Sequence, residues 1–446
     1  MSHDIGKFVE KWLDLFIKKV NMPEDERKNA PIKNHTSAGA AYIYHQIDNN
    51  HDFLRKLIAY LIVSSHGGLP NHTNKKKRTT FIQRKEEFSE YIKEIDTSNI
   101  DFQFIKTEID NLIEELKKEK NLPITFSKGK EYFQLYFFVK MLFSCTVDAD
   151  CVDTKEFMDN KKDNREIISI EKMMEKYLSY MGTLESLSLT PINKARKEMR
   201  EIVQQEPIPP GSLCSTTMFT GAGKTLAVTG LGLKSMLSYS KYDKFIYVVK
   251  NVSIISEIAK TFQDIFGKEN ILVHYRDYDR SSKWVNDGQG GFSFYEDPTI
   301  FSVQNWGNIK IILTTDVQFF ETLFSNKNGK CRKMHNICNS FIFFDEPQTL
   351  SPGLVIPCTS ALKELSSNYG CSVVFATATQ PFRYQNYLIE EHKFGIRELL
   401  PNYQKVVTPR RGVRIETTRT VRAGKMEVTP RRGVWIETRY NRLFLM

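Results

Sequence analysis

No long apolar run occurs in this chain. The longest, LIAYLIV at 57–63, has seven residues, against the roughly 18 that mark a membrane-spanning helix. The opening MSHDIGKF has no apolar core of the kind a secretory signal carries. The seven cysteines are scattered without paired spacings. That excludes a disulfide framework and suits a reducing, cytoplasmic compartment. Cys331, His335 and Cys338 lie close together, but two thiols and one imidazole fall short of a four-ligand zinc set. A strong charge on the body of the chain is also lacking. Of the net +10, residues 405–446 carry +8, from 11 Lys/Arg against three Glu, so the remaining 404 residues carry +2. Bulk charge therefore argues little for nucleic acid, and any such case must rest on motifs.

What is present is size and pattern. A chain of 446 residues with 41% hydrophobic and 26% charged residues is long enough for two or three domains with substantial cores. Residues 1–155 read as mostly helical, with FLRKLIAYLIV and YFQLYFFVKMLF as buried helices. The basic loop NHTNKKKRTT reads as a solvated turn. Residues 156–190 are polar and helical and read as a connector. From 191 to 404 short β-rich runs appear, FIYVV, IKIILT, SFIFF and CSVVFA, separated by helical stretches. That alternation predicts a parallel sheet covered on both faces. The expected fold class is thus α + α/β, a helical domain followed by one doubly wound lobe. Residues 405–446 form a tail without that alternation.

Three stretches carry chemistry. TGAGKT, Thr220 to Thr225, opens a helical run. Gly221 and Gly223 let backbone N–H groups, with that of Ala222 between them, turn toward phosphate oxygens, and the helix N-terminus adds its positive dipole end. Lys224 is placed for the β- and γ-phosphates and Thr225 for magnesium. The full phosphate-loop pattern has Gly where Met218 stands. In FIFFDEPQTL, Asp345 and Glu346 end a hydrophobic strand, where one carboxylate holds magnesium and its neighbour polarises an attacking water. FATATQP then brings Thr377, Ala378 and Thr379 after the next strand. Each stretch alone has a plain structural explanation; the three in this order do not arise easily by chance.

This ordered set resembles the first motor lobe of superfamily 2 DExH helicases. More closely it resembles the CRISPR-associated HD-nuclease/helicase of type I interference, nearest the type I-C form. The likeness is carried by SIISEIAKTFQDIFGKENILVHYRDYD, NWGNIKIILTTDVQFFETLF, CRKMHNICNSFIFFDEPQTLSPGL and ELSSNYGCSVVFATATQP, and runs to about residue 404. It implies one RecA-like lobe at 191–404, preceded by an HD-type metal domain at 1–155. It also implies ATP with magnesium as cofactor, translocation on single-stranded DNA, and recruitment by a CRISPR guide-RNA surveillance complex. Stretches 249–254 and 314–319 would contact the DNA backbone.

An adjacent His-Asp pair, His3 and Asp4, suits a metal site, and the resemblance gives it context. The family pattern implies His3, Asp4, His35, His66 and Asp150 as ligands of a divalent transition metal, Asp150 being preferred to Asp148, with Asp4 catalytic. Two departures stand out. An early His of that pattern would lie upstream of Met1, and Ser65 occupies the first position of a His-His pair. Ligand loss lowers metal affinity, so weak or absent nuclease activity is expected.

The likeness ends after TATQP, before a second motor lobe and the arginine finger it supplies. That predicts nucleotide binding with little DNA-stimulated hydrolysis, unless a partner chain supplies the lobe. In the tail, VTPRRGVRIET at 407–417 and VTPRRGVWIET at 428–438 differ only at Arg414 against Trp435. The filler TRTVRAGKME between the copies does not resemble RYNRLFLM after the second copy. Repeat, unique spacer, repeat is the layout of a CRISPR array. The expectation is that the tail is array-like DNA read in frame. A basic β-hairpin or a nonspecific nucleic-acid-binding tail are the other readings. On the array reading the chain is an incomplete enzyme, or a non-enzymatic remnant that at most binds nucleotide or DNA.

Overall fold

The computed structural model describes residues 35–46, 52–65, 68–69, 107, 129, 131–159, 168–186, 190–250, 252–275, 283–286, 292–295, 305–347, 352–377 and 396–401. The chain divides into two units, Met1–Arg165 with Asp279–Gly307 and Phe319–Ile337, and Glu166–Tyr278 with Asn308–Gln318 and Cys338–Met446.

In the first unit the described elements are helices His35–Gln46, Asp52–Ser64 and Glu131–Asp159, with a short helical turn at Asn328–Cys331. Asp52 opens its helix at the positive end of the dipole and receives Arg55 at 2.7 Å and Lys56 one turn on. Ala40, Ala41 and Tyr44 pack with Ala59, Ile62 and Val63, as expected for FLRKLIAYLIV. Leu61 and Leu69 pack with Phe143, Val147 and Cys331. That cluster explains why residues of the later sequence belong to this unit, and the linear boundary at 191 misses it. Lys140 donates to the carbonyl of Leu323, the Ser144 hydroxyl donates to that of Arg332 at 3.0 Å, and Arg332 pairs with Asp148 at 2.6 Å. Residues 319–337 are thereby held against Glu131–Asp159. A two-stranded antiparallel ribbon, β4 (Lys283–Asn286) and β5 (Phe292–Tyr295), also belongs to this unit.

The second unit is built on a seven-stranded sheet. Its strands are β1 (Leu213–Thr217), β2 (Lys244–Val249), β3 (Ile271–His274), β6 (Ile311–Thr315), β7 (Ser340–Asp345), β8 (Ser372–Thr377) and β9 (Arg397–Glu398), in the order β3-β6-β2-β7-β8-β1-β9. Every described pairing is parallel. KFIYVV of β2 and SVVFAT of β8 are buried along their whole length, the continuous apolar pattern of strands covered on both faces. The four β-rich runs read from sequence are β2, β6, β7 and β8.

The stretch read as a connector is different in the structure. Helix Ile170–Ser186 buries Met173, Tyr177 and Met181 in the core of this unit, and the Tyr177 hydroxyl donates to the Leu226 carbonyl at 2.9 Å. Its charged outer face made it look like a linker; its inner stripe makes it part of the lobe. Among the described residues no helix is long and apolar enough to cross a membrane.

Candidate functional site

The carboxyl ends of β7, β8 and β1 lie side by side. Asp345 is in register with Ala376, and Thr377 with Thr217. The Met218 amide donates to the Thr377 carbonyl at 3.1 Å, so the loop leaving β1 starts from the end of β8. Open parallel sheets bind ligands at this edge.

The loop from Met218 to Gly223 turns on two glycines, Gly221 and Gly223, each with φ of 81°. That region carries a steric cost for any residue with a Cβ. Gly223 caps helix Lys224–Ser238 without a side-chain hydrogen bond, and the Ala222 amide is held by the Phe219 carbonyl at 3.0 Å. Arg196, on helix Pro191–Val203, donates from Nε to the Gly221 carbonyl at 2.7 Å and from Nη1 to Asn193 at 2.9 Å. That contact fixes one peptide of the loop from outside. Nothing in the sequence around Arg196 marks it, because its partner is a backbone oxygen 25 residues away.

Four predicted side chains meet here, two of them through a fifth residue. Lys224 Nζ lies 2.5 Å from Glu346 Oε1. Glu346 itself sits at φ 53°, the left-handed region that costs a non-glycine residue about 1–3 kcal/mol. Its amide is tied to the Ala376 carbonyl at 2.9 Å. Thr225 Oγ1 is 3.2 Å from the hydroxyl of Tyr247, and that hydroxyl donates to Asp345 Oδ2 at 2.7 Å. Tyr247 was not among the predicted site residues; its one signal is a polar group in the otherwise apolar run FIYVV. Burial pushes the Asp345 carboxyl above its ordinary range, against the lowering effect of the Tyr247 hydrogen bond and the Lys224 charge. Burial likewise pushes the Tyr247 phenol well up, keeping it protonated as a donor.

Asp345 Oδ1 is buried and has no hydrogen-bond partner. An unsatisfied carboxylate oxygen, on a group joined through the Tyr247 hydroxyl to the threonine that follows a phosphate-type loop, fits a hard divalent cation with oxygen ligands. The predicted Thr220, Gly221, Ala222, Gly223, Lys224, Thr225, Asp345, Glu346 and Thr377 thus share one edge of the sheet. Thr379 lies outside the described residues.

The predicted metal ligands are not gathered in the same way. His3, Asp4 and His66 lie outside the described residues, as does the repeat-bearing tail. For His35 the structure describes only backbone, at the start of helix His35–Gln46. Asp150 is half-buried on Glu131–Asp159. Asp148 is engaged elsewhere: its carboxylate meets Arg332 Nε at 2.6 Å and His335 Nε2 at 3.3 Å. Burial pushes that carboxyl up, but hydrogen bonds from His335 and Arg332 outweigh it and hold the group below its ordinary range. Ser65 is buried, and its hydroxyl donates to the Ile62 carbonyl at 2.9 Å, capping the helix end. Among the described residues no group of three or more His, Cys, Asp or Glu is placed to hold a metal.

No protein-family model matches the chain, and no curated protein matches its sequence. Solved structures do match. The crystal structure of T. fusca Cas3 with ADP covers 89% of this chain at 12% identity with a TM-score of 0.51, over 46% of its own length. A further structure of T. fusca Cas3 covers the same shares at 13% identity and a TM-score of 0.48. The crystal structure of a CRISPR-associated protein also matches, at 11% identity and a TM-score of 0.46, with 88% of this chain and 46% of its own covered. The chain thus spans less than half the length of these proteins, and only the first exceeds a TM-score of 0.5. In fold, this chain is similar to T. fusca Cas3 over most of its length.

Proposed function

We propose that the second unit binds ATP with magnesium as the first motor lobe of a CRISPR-associated helicase and nuclease of the Cas3 kind. The observation that carries this reading is the meeting of Lys224, Thr225, Asp345 and Glu346 at the carboxyl edge of one parallel sheet. The Cas3 structure of similar fold is a complex with ADP, which supports the same ligand class.

The residues divide the work. The loop amides at Gly221, Gly223 and Lys224 would face phosphate oxygens at the positive end of helix Lys224–Ser238, while that of Ala222 braces the loop on the Phe219 carbonyl. Lys224 supplies the cation for the β- and γ-phosphates. Thr225 and Asp345 hold magnesium, which neutralises charge on the phosphates when bound. Glu346 orients the attacking water once Lys224 has left it for phosphate. Thr377 and Thr379 would complete the nucleotide edge, Thr377 at the end of β8 beside the loop that leaves β1. Efficient turnover requires an arginine from a second RecA-like lobe, whether on the same polypeptide or from a partner chain, and such a finger is worth roughly 10³–10⁵ in rate.

The partners proposed with this reading are single-stranded DNA and a guide-RNA surveillance complex, in antiviral defence. For the first unit we propose a divalent-metal nuclease site built from His3, Asp4, His35, His66 and Asp150, weakened by serine at position 65.

Titration of the purified chain with a fluorescent ATP analogue and Mg²⁺ tests the central claim. Saturable binding, lowered at least about tenfold by Lys224→Ala, supports it. Absence of binding, or binding indifferent to Lys224→Ala, overturns it. Hydrolysis measured with and without single-stranded DNA then separates a complete motor from a lobe that only binds.

A further inference from the structure

Tyr247 occupies the middle of β2 and is fully buried. Its ring is clamped edge-on against Phe343, centroids 4.6 Å apart at 89°, and against Phe262 at 5.9 Å and 72°. Held between these rings in a fully buried site, the hydroxyl has its position set by the core. It ends between the phosphate-loop helix and the acidic strand end, 2.7 Å from Asp345 Oδ2 and 3.2 Å from Thr225 Oγ1.

Proton counting gives the direction of each bond. A phenol has one proton, and a carboxylate accepts only. The Tyr247 proton therefore goes to Asp345 Oδ2, and in the second contact Thr225 must be the donor. With its single proton spent on Tyr247, the Thr225 oxygen can turn its lone pairs only elsewhere. Asp345, with Oδ2 occupied, has Oδ1 left, and that atom is buried without a partner. One hydroxyl thus fixes the free lone pairs of two oxygen ligands on two different elements.

We propose that Tyr247 is a positioning residue for the divalent cation, aligning Thr225 Oγ1 and Asp345 Oδ1 before the metal arrives. Removing the hydroxyl frees Asp345 to rotate and lets the Thr225 proton point toward the cation. This rests on the nucleotide-binding reading above and adds to it a residue that does not touch the nucleotide. Partners in this outer layer typically change metal affinity by about 10–100-fold.

The test is Tyr247→Phe, which keeps the ring and its packing. Affinity for a fluorescent ATP analogue is measured in EDTA and again across a Mg²⁺ titration, with Mn²⁺ binding in the nucleotide complex followed by paramagnetic resonance. We expect the Mg²⁺ midpoint to rise by about tenfold or more, well beyond any change in metal-free affinity. Equal changes in both overturn the proposal and assign Tyr247 to packing alone. An unchanged midpoint overturns it too. Metal-independent nucleotide binding by the unsubstituted chain sinks this proposal only, whereas no nucleotide binding at all sinks the functional reading with it. Should Tyr247→Phe fail to fold, 3-fluorotyrosine placed at 247 gives a second readout. Its fluorine signal is expected to broaden with Mn²⁺ plus nucleotide, and a sharp signal overturns the proposal.

Discussion

The ammonium of Lys224 and the carboxylate of Glu346 stand 2.5 Å apart, each occupied by the other. In the function proposed above, both are groups the γ-phosphate and its attacking water would require. Glu346 reaches this position at φ 53°, a backbone conformation that persists only where its surroundings enforce it. On the proposed nucleotide-binding reading, the pair is a resting arrangement that nucleotide would have to open.

Glu346→Gln should ease that opening. The amide holds Lys224 less strongly than the carboxylate does, so ATP competes with a weaker partner. The expected result is nucleotide affinity raised by about two- to fivefold, since a partly exposed ion pair contributes up to ~1 kcal/mol. Any hydrolysis should fall, because an amide polarises water poorly. Isothermal titration beside a phosphate-release assay reads both; lower affinity in the variant contradicts the resting-state interpretation.

Asp345 should make the unliganded protein less stable at neutral pH. Its folded pKa is raised above the ordinary carboxylate value of 3.8, burial being the first cause. Stability from the neutral acid is complete below that ordinary value and is lost as pH rises through the raised one. At pH 7 the anion is held at a cost. Asp345→Asn removes this cost and should raise Tm by about 2–4 °C per ~1 kcal/mol regained. With Mg²⁺ and nucleotide the order should reverse, because only the carboxylate gains the cation. Melting curves at pH 4, 5.5 and 7, with and without ligand, check both halves.

Lys140 gives the first unit a pH dependence of opposite sign. It is buried, donates to the Leu323 carbonyl, and burial lowers its pKa from 10.5 to about 8. A depressed value means stability that is present above 10.5 and lost as pH falls through about 8. Across that window the slope approaches ~1.4 kcal/mol per pH unit. The unsubstituted chain should gain stability between pH 8 and 10 relative to Lys140→Met, which cannot titrate. Denaturant unfolding of both proteins at several pH values, taken as a difference, isolates this group; parallel curves would show that Lys140 does not titrate there.

Sequence alone determined the parallel lobe and most of the residues that line the carboxyl edge of β7, β8 and β1. β2, β6, β7 and β8 declare themselves because strands buried on both faces must be continuously apolar. TGAGKT and DEPQ are legible because phosphate and metal chemistry demand particular residue types at close spacing. Only the tertiary structure decided the rest. Gly230 and Gly232 look like defects in helix Lys224–Ser238, yet a Cβ at Gly230 would lie 2.5 Å from the Tyr177 hydroxyl oxygen and one at Gly232 would lie 2.5 Å from the Phe245 ring. Their role exists only once the helix is packed. The same holds for Ile170–Ser186, a linker by composition and a core helix by contact. It holds for residues 319–337, which join the first unit through Arg332 and Asp148 across 184 positions of sequence. Arg196 and Tyr247 act on a backbone carbonyl, a hydroxyl and a carboxylate brought near by folding. Local patterns encode chemistry that neighbours in sequence perform together; the partners of a buried hydroxyl or a guanidinium are assigned by topology, which places distant strands and helices side by side.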